Sequence, residues 1–461
     1  MALPITNPKV ARDELAAKVA GRIIGPEDPD YDEARTVVMG GIDRRPALIV
    51  RPANAQDVAM AIALARESGL ELAVRGGGHS AAGHGVSEGG IVIDLRGMKE
   101  IEIDAEQRLA WAGGGLTAGE YSIAAAAHGL ATGFGDTGSV GIGGITLGGG
   151  IGYLVRRHGL TIDSLVAAEI VTADGELLRV DAESHPDLFW AIRGGGGNFG
   201  VVTRFQFRLH PLPAFVGGIL VLPATADVIA GFMAAADAAP EELSTIANVM
   251  NCPPMPFVPE ELHGSLVVMA MMGWSGDLEA GQRAMAPFRA LAEPIADMVR
   301  PMSYPEMFPP EEGGGYRPLA VAKTMFLRGV DRGRAETIMQ YLEASDAPMR
   351  AVQLRVLGGA MARVPSEATA FAHRASRVMA VVVSLYIGPD DRAQREAWVD
   401  DLLAALDDGE AGAYVNFVGD EGPDRVRAAY PGATYERLAA IKRTYDPTNL
   451  FRLNQNVPPA G

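Results

Sequence analysis

Arg75-Gly76-Gly77-Gly78-His79-Ser80 directly follows the apolar run ELAVR at 71–75, and its reading decides the fold. The run is a short strand, and the glycines end it. Consecutive glycines let successive N–H groups converge into an anion-binding nest suited to a diphosphate. The tight loop either presents the histidine for use instead of burying it on an element face, or is a turn in which the histidine is incidental. Upstream, PALIVRP at 46–52 is a second short strand. Residues 54–69 between the two have helical apolar spacing, with Asn54 placed to cap the first turn and Gly69 to stop the last. The unit is β-α-β.

Downstream come IVIDL at 91–95, the Ile101/Ile103 alternation, RLAWAGGG at 108–115 and a helix over 117–129. A hairpin over 164–181 turns at Ala173-Asp174-Gly175, and a short helix at 186–192 precedes a strand at 201–209. The class is α+β, not a simple alternation of parallel units. Beyond His210-Pro211-Leu212-Pro213, helices are expected at about 225–238, 277–293, 333–345 and 391–407, with strands at 265–274, 350–357, 379–387 and 413–419. The expected organisation is residues 1–210, 211–412 and a C-terminal segment 413–461. The proline-rich stretches 252–259 and 301–318 read either as covers over a cleft or as plain surface excursions.

Composition narrows the function. A net charge of −17 disfavours nucleic acid and anionic membranes, which attract basic patches. The N-terminal stretch lacks the features of a secretory leader and no apolar run is long enough to span a bilayer, so a soluble, cytoplasmic protein is expected. The single cysteine, Cys252, forms no internal disulfide or cysteine-pair redox site, and the eight histidines carry no HExxH spacing, so no metal is expected and redox chemistry requires a bound cofactor. Glycines cluster at 75–90, 113–119, 133–152 and 194–200. Such clusters suit main chain wrapped around an extended ligand. Gly133-Phe134-Gly135-Asp136-Thr137-Gly138 matches GxGxxG, but a helix-like stretch precedes it and more glycine follows, unlike a nicotinamide-binding turn. The run 133–152 reads instead as a long glycine-rich crossing against a ring system and a diphosphate.

Two further features complete the set: Arg193 to Thr203, with glycines just before a strand, and the C-terminal Tyr445-Asp446-Pro447-Thr448-Asn449-Leu450-Phe451-Arg452-Leu453-Asn454-Gln455-Asn456. In order and spacing the four features resemble the FAD-linked oxidases of the vanillyl-alcohol-oxidase superfamily, in the berberine-bridge-enzyme-like branch. The resemblance spans roughly 35–210 and 345–461. It implies a PCMH-type FAD-binding region (about 42–211) and a substrate region whose antiparallel sheet is backed by helices. It also implies FAD joined to His79. A second tether in the family uses a cysteine where this chain has Thr137, so one covalent bond is implied. Val140 matches a position where valine or isoleucine accompanies O2 reactivity, and Ile145 stands where many members carry histidine. The resemblance places Arg75, Gly76, Gly77, Gly78, His79, Ser80, Thr137, Gly138, Ser139, Val140, Gly141, Gly143, Gly144, Gly148, Gly149, Asn198, Gly200, Val201, Val202, Asn454 and Asn456 at the FAD.

Strand alternation sorts the substrate side. Val352, Leu354 and Val356 are expected to face the helices, leaving Gln353 and Arg355 toward the flavin. On 380–387, Val381, Val383, Leu385 and Ile387 are taken as the helix-facing set, with Ser384 and Tyr386 toward the flavin. On 413–418, Tyr414 and Asn416 oppose Val415 and Phe417. The family's base is often the tyrosine of a Tyr-x-Asn segment, and Tyr414-Val415-Asn416 matches it; a phenol of pKa about 10 needs a neighbouring cation or hydrogen bond to act near neutrality, and Arg355 is the candidate. The alternative for Tyr414 is a tyrosine that packs on the sheet. His373-Arg374 reads as a structural pair. The expected function is oxidation of a small alcohol, amine or phenol, such as a sugar or secondary metabolite, with O2 reduced to H2O2. A dehydrogenase with another acceptor and a non-catalytic ligand-sequestering protein stand as alternatives.

Overall fold

The computed structural model describes residue 12 and residues 15–308 and 317–461, so 309–316 of the proline-rich stretch 301–318 lie outside the described residues. The β-α-β unit forms a four-stranded sheet in the order Arg22–Ile24, Leu48–Arg51, Ile91–Asp94, Leu72–Arg75, parallel except at its first pair. Helix Ala55–Ser68 covers it: Val58, Ala61, Ile62 and Ala65 pack on Leu48, Val50, Ile91 and Ile93. Asn54 accepts from the Asp57 N–H at 3.0 Å, and Gly69 ends the helix at φ 68°. A five-stranded antiparallel sheet follows, in the order Ile101–Asp104, Leu109–Gly113, Val201–Arg208, Leu165–Val171, Leu177–Asp181. The glycine-rich run between these sheets is not one flat crossing, as the sequence suggested. Ile142–Leu147 is a short helix, anchored by the buried side chains of Ile142 and Thr146.

The larger sheet is antiparallel, with the order Ala296–Asp297, Phe215–Pro223, Leu266–Ser275, Leu243–Asn251, Arg350–Val356, Val378–Leu385, Ala320–Leu327, and Arg300–Pro301 added against Phe215–Pro223. Helices Ala226–Ala238, Leu278–Arg289, Arg332–Ala344 and Pro389–Leu406 supply apolar side chains to one of its faces, where Val352, Leu354 and Val356 meet Ile338, Leu342, Val399 and Leu402. The amphipathic spacing of these helices is why they lie there.

Two substrate-side expectations are corrected. Strand Val378–Leu385 has the opposite facing from that expected: Val378, Ala380 and Val382 pack with the helices, while Met379 and Val381 join Tyr414 and Phe326 on the other face. The register dictates this, because Gln353 pairs with Val381 and Arg355 with Met379, and directly paired residues share a face. Ser384, which pairs with Arg350, and Tyr386 therefore lie on the helix side; Tyr386 packs against the helix-side core and stands away from the cleft. Residues 413–418 form no strand. Val415–Phe417 is a 3-10 turn, and the Tyr414 N–H reaches the Thr324 hydroxyl at 3.4 Å instead of a ladder.

The segment 252–259 packs Cys252, Met255, Phe257 and Val258 against Val221, Val267 and Met269 of the large sheet. No helix among the described residues is long and apolar enough to cross a membrane.

Where strand Phe215–Pro223 is approached from the five-stranded sheet, His158 and His210 stack at 4.1 Å between centroids, and His210 Nε2 lies 3.0 Å from the Ser164 hydroxyl. Burial, then the neighbouring His210 and Arg157, holds His158 down at about 3; burial, then Arg208 and Arg157, holds His210 at about 4. Both imidazoles are thus neutral in the fold at pH values where the unfolded chain protonates them, near 6.5. Their contribution is complete above 6.5 and is lost progressively as pH falls, down to about 4 for His210 and about 3 for His158. The melting temperature should be flat above neutrality and drop across that window, with a smaller drop in His210→Gln; equal drops would dismiss the pair as the cause.

Candidate active site

The glycine loops enclose one cavity of about 370 Å³. Its wall includes Gly76, Gly77, Gly78, His79 and Ser80 from the first loop and Thr137, Val140, Gly141, Gly143 and Gly144 from the second. The loops touch: a Cβ on Gly77 would stand 2.3 Å from the Gly141 nitrogen, and one on Gly141 2.3 Å from that of Gly77. Contact this close between two backbones admits only glycine. The N–H groups of Gly77 and Gly78 donate to no acceptor among the described residues. His79 Nε2 lies 3.0 Å from the Ser139 hydroxyl, so Ser139 stands behind the histidine. Gly138 also lies off the wall, its carbonyl accepting from Gly119 at 2.9 Å.

Arg75 borders the cavity, but its guanidinium is committed elsewhere, to Asp94 at 3.0 Å and to the Ala34 carbonyl. Asp94 is fully buried and also receives Arg51 and Arg96; these hydrogen bonds and charges overcome the burial that opposes ionisation and hold its carboxyl far below the carboxylate range.

Gly200, Val202 and Asn454 are on the wall; Val201 points into the small-sheet core. Asn198 is buried and structural: its amide donates to the carbonyls of Gly195 and Gln455, and its oxygen accepts from the Val457 N–H at 2.9 Å. Asn454 Nδ2 donates to the Gly197 and Phe451 carbonyls, while its buried Oδ1 has no partner among the described residues, nor has that of Asn456, which is not on the wall. Gly148 and Gly149 serve the neighbouring side chains, since a Cβ would lie 2.0 Å from Asn416 Oδ1 and 3.0 Å from the Phe371 ring.

On the large-sheet side, Tyr414 and Asn416 are both on the wall. The Tyr414 oxygen accepts from the N–H groups of Gly150 (3.0 Å) and Ile151 (3.3 Å) and from Asn416 Nδ2 (2.8 Å). Burial pushes this phenol up, against the lowering effect of those three hydrogen bonds and of Arg355. Arg355 is 3 % exposed and donates to Asp136 at 2.6 Å and to Gln353, whose own amide reaches Asn248 at 2.9 Å. Its guanidinium also lies over the Phe417 ring. Sequence reasoning missed Asp136, Phe417, His84 and Gln455, all on the wall. Asp136 did carry a signal, as the lone carboxylate in residues 133–152. His84 is held neutral, at about 4, chiefly by burial. His373-Arg374 is structural: His373 Nε2 meets the Ala429 carbonyl, and Arg374 makes a two-pronged pair with Asp163.

Residues 46–181 match the family model described as an FAD binding domain, and residues 413–458 the one described as berberine and berberine like. The FAD-linked oxidoreductase YgaK of Bacillus subtilis is 32% identical across 96% of this chain and 98% of its own. The chain belongs to the berberine-bridge-like FAD-linked oxidoreductases. Another relative of this oxidoreductase, (R)-6-hydroxynicotine oxidase of Paenarthrobacter nicotinovorans, is 30% identical over 96% of the chain and 98% of its own. The crystal structure of 6-hydroxy-D-nicotine oxidase from Arthrobacter nicotinovorans superposes with a TM-score of 0.85 at 29% identity, covering 96% of this chain and 99% of that one. The fold of the oxidoreductase is therefore the α+β, PCMH-type fold that the sequence implied, with its large antiparallel sheet backed by helices.

Proposed function

We propose that this oxidoreductase is an oxidase of a small alcohol, amine or phenol, with FAD held through a single covalent bond to His79 and Tyr414 as the base. The observation that carries the reading is that His79 and Tyr414 share one glycine-walled cavity. The cavity fits FAD on its own terms: the N–H groups of Gly77 and Gly78 suit a diphosphate, and the buried, unpartnered Asn454 Oδ1 suits a ring N–H. The bound cofactor would supply a two-electron acceptor for hydride from a substrate C–H, with the electrons passing to O2 to give H2O2.

The rest is the chain's own work. Gly77, Gly78, Gly141 and the other wall glycines hold the cofactor through main chain, and residues 1–210 with 413–461 form that holding region, while 211–412 supply the sheet that meets substrate. Tyr414 takes the proton from the substrate hydroxyl or amine, and Asn416 keeps the phenol oriented. Gln353 and Arg355 lie off the cavity wall, and Gln353, itself held by Asn248, keeps Arg355 in place behind Tyr414. Val140 on the wall favours O2 as acceptor.

Tyr414→Phe should keep its flavin yet lower the rate of anaerobic flavin bleaching by about 10²-fold or more, the usual worth of a positioned base. The assay is a panel of secondary alcohols, cyclic amines, phenols and oligosaccharides, followed by H2O2 measurement in air with whichever compound bleaches. Undiminished bleaching in Tyr414→Phe would remove Tyr414 as base, and substrate-reduced flavin that stays reduced in air would remove the oxidase reading.

A further inference from the structure

We infer that Asp136 is a positioning residue that tempers the base: by neutralising Arg355, it sets how readily the Tyr414 phenol releases its proton. The inference rests on the reading of Tyr414 as base and adds to it the residue that governs its charge.

The Tyr414 oxygen meets three N–H donors, from Gly150, Ile151 and Asn416. A neutral phenol has two lone pairs and a proton of its own to place, so three donors match a phenolate better. The turn that supplies two of them is also tied to Arg355, because the Ile151 carbonyl accepts from Arg355 Nη1 at 3.4 Å. Both N–H groups of residues 150–151 thus point toward Tyr414, and the Ile151 C=O points toward the cation. Gly150 takes φ 86° to do so, a left-handed conformation that strains any other residue there.

Arg355 has two independent anchors. Gln353 Oε1 accepts from its Nε at 2.9 Å and its Nη2 at 2.6 Å, and Asp136 Oδ2 accepts from the same Nη2 at 2.6 Å. Only the second anchor carries charge. With Asp136 ionised, the buried cation is compensated and acts weakly on the phenol; without it, the same cation, still held by Gln353, acts in full at low local dielectric. The imidazoles of His79 and His84 stand on the same cavity wall, and the charged groups behind the neighbours of Tyr414 are themselves paired. Beyond Phe371 stand Arg374 with Asp163 and the imidazole of His373 on the Ala429 carbonyl. Behind Thr324, which receives the Tyr414 N–H, Arg425 pairs with Glu421. On the far side of Asp136 are the phenols of Tyr153 and Tyr304, both pushed up chiefly by burial.

The two charge variants must therefore act in opposite directions. The test places 3-fluorotyrosine at position 414 alone in the flavin-loaded protein and follows its ionisation by fluorine NMR across pH. Asp136→Asn, which keeps the shape and a hydrogen-bond acceptor, should lower the midpoint by about one unit, and Arg355→Gln should raise it by a similar amount. Asp136→Glu should return the midpoint toward the parent value. A merely structural Asp136 would give no shift, or shifts of the same sign in both variants, and either result overturns the inference. If Arg355→Gln does not fold, the Asp136→Asn arm decides alone, an unchanged or raised midpoint being the refutation. The bleaching assay keeps the two ideas apart. Opposite shifts together with undiminished bleaching in Tyr414→Phe would retain the charge control and reject the base, whereas slow bleaching in Tyr414→Phe with immobile midpoints would do the reverse.

Discussion

His79→Ala should give a protein whose flavin is released completely by acid precipitation and whose flavin-reduction rate is at least about tenfold lower than that of the parent. The first part follows from what else stands at the cavity. The position where the family's second tether has a cysteine is Thr137, whose hydroxyl donates to Asp136 at 3.3 Å and offers no thiol. Cys252, the chain's single cysteine, is buried against Val258 and Val267 in the cover of the large sheet. With His79 gone, the wall holds no cysteine among the described residues, and its remaining imidazole is His84. The second part follows from potential. A covalent link generally raises the flavin potential, and for a two-electron couple about 30 mV corresponds to about 1.4 kcal/mol, a factor of ten in the equilibrium. Denaturing-gel fluorescence and the colour of the acid supernatant read the link; stopped-flow bleaching reads the rate. Ser139→Ala serves as the contrast, because it removes the hydroxyl 3.0 Å from His79 Nε2 and leaves the imidazole: the link should still form, more slowly. Acid-stable flavin in His79→Ala would show that another residue carries the bond.

The sequence was most legible where one local rule sufficed. The cap at Asn54, the stop at Gly69 and the Gly77–His79 loop needed no tertiary information, because capping and positive φ are properties of a few consecutive residues. The large-sheet helices were legible for a similar reason, each carrying its own apolar stripe. Legibility failed where both faces of a strand are apolar. Val378–Leu385 reads Val-Met-Ala-Val-Val-Val-Ser-Leu, so alternation alone could not choose a face, and the register with Arg350–Val356 chose it. Tyr386 and Ser384 were misplaced by that one-residue ambiguity. The Tyr414 segment was misread as a strand because alternation over a few residues also fits a 3-10 turn, and only the donors at 150–151, far away in sequence, distinguish the two. Asp136 was passed over for the opposite reason. It sits within a glycine motif read wholly for its backbone, and its partner Arg355 is more than two hundred residues away. The resemblance places Asn198 and Val201 at the cofactor; in the structure the first ties down the C-terminal segment and the second fills the core.

Gly77→Ala is expected to have the other large effect, on cofactor retention and stability together. Gly77 does not have positive φ, so an alanine there is not excluded by its own backbone. What excludes it is the second loop: a methyl at this position would lie 2.3 Å from the Gly141 nitrogen and 2.8 Å from the Ser139 carbonyl oxygen. Both are main-chain atoms, and Gly141 leads directly into helix Ile142–Leu147, whose buried Ile142 and Thr146 resist displacement. Relief therefore has to come from separating the two loops. Overpacking of this kind costs about 1–3 kcal/mol, and the same separation spreads the Gly77 and Gly78 N–H groups and carries Ser139 away from His79. The variant should purify largely colourless, with a lowered melting temperature that added FAD restores only in part. Gly141→Ala should match it, since its methyl would meet the Gly77 nitrogen at the same 2.3 Å. Gly329→Ala, at a position where nothing lies within 4 Å of the added carbon, should retain parental colour and melting temperature. A fully yellow Gly77→Ala protein with acid-stable flavin and an unchanged melting temperature would mean that the contact between the two glycine loops is not what shapes the cofactor site.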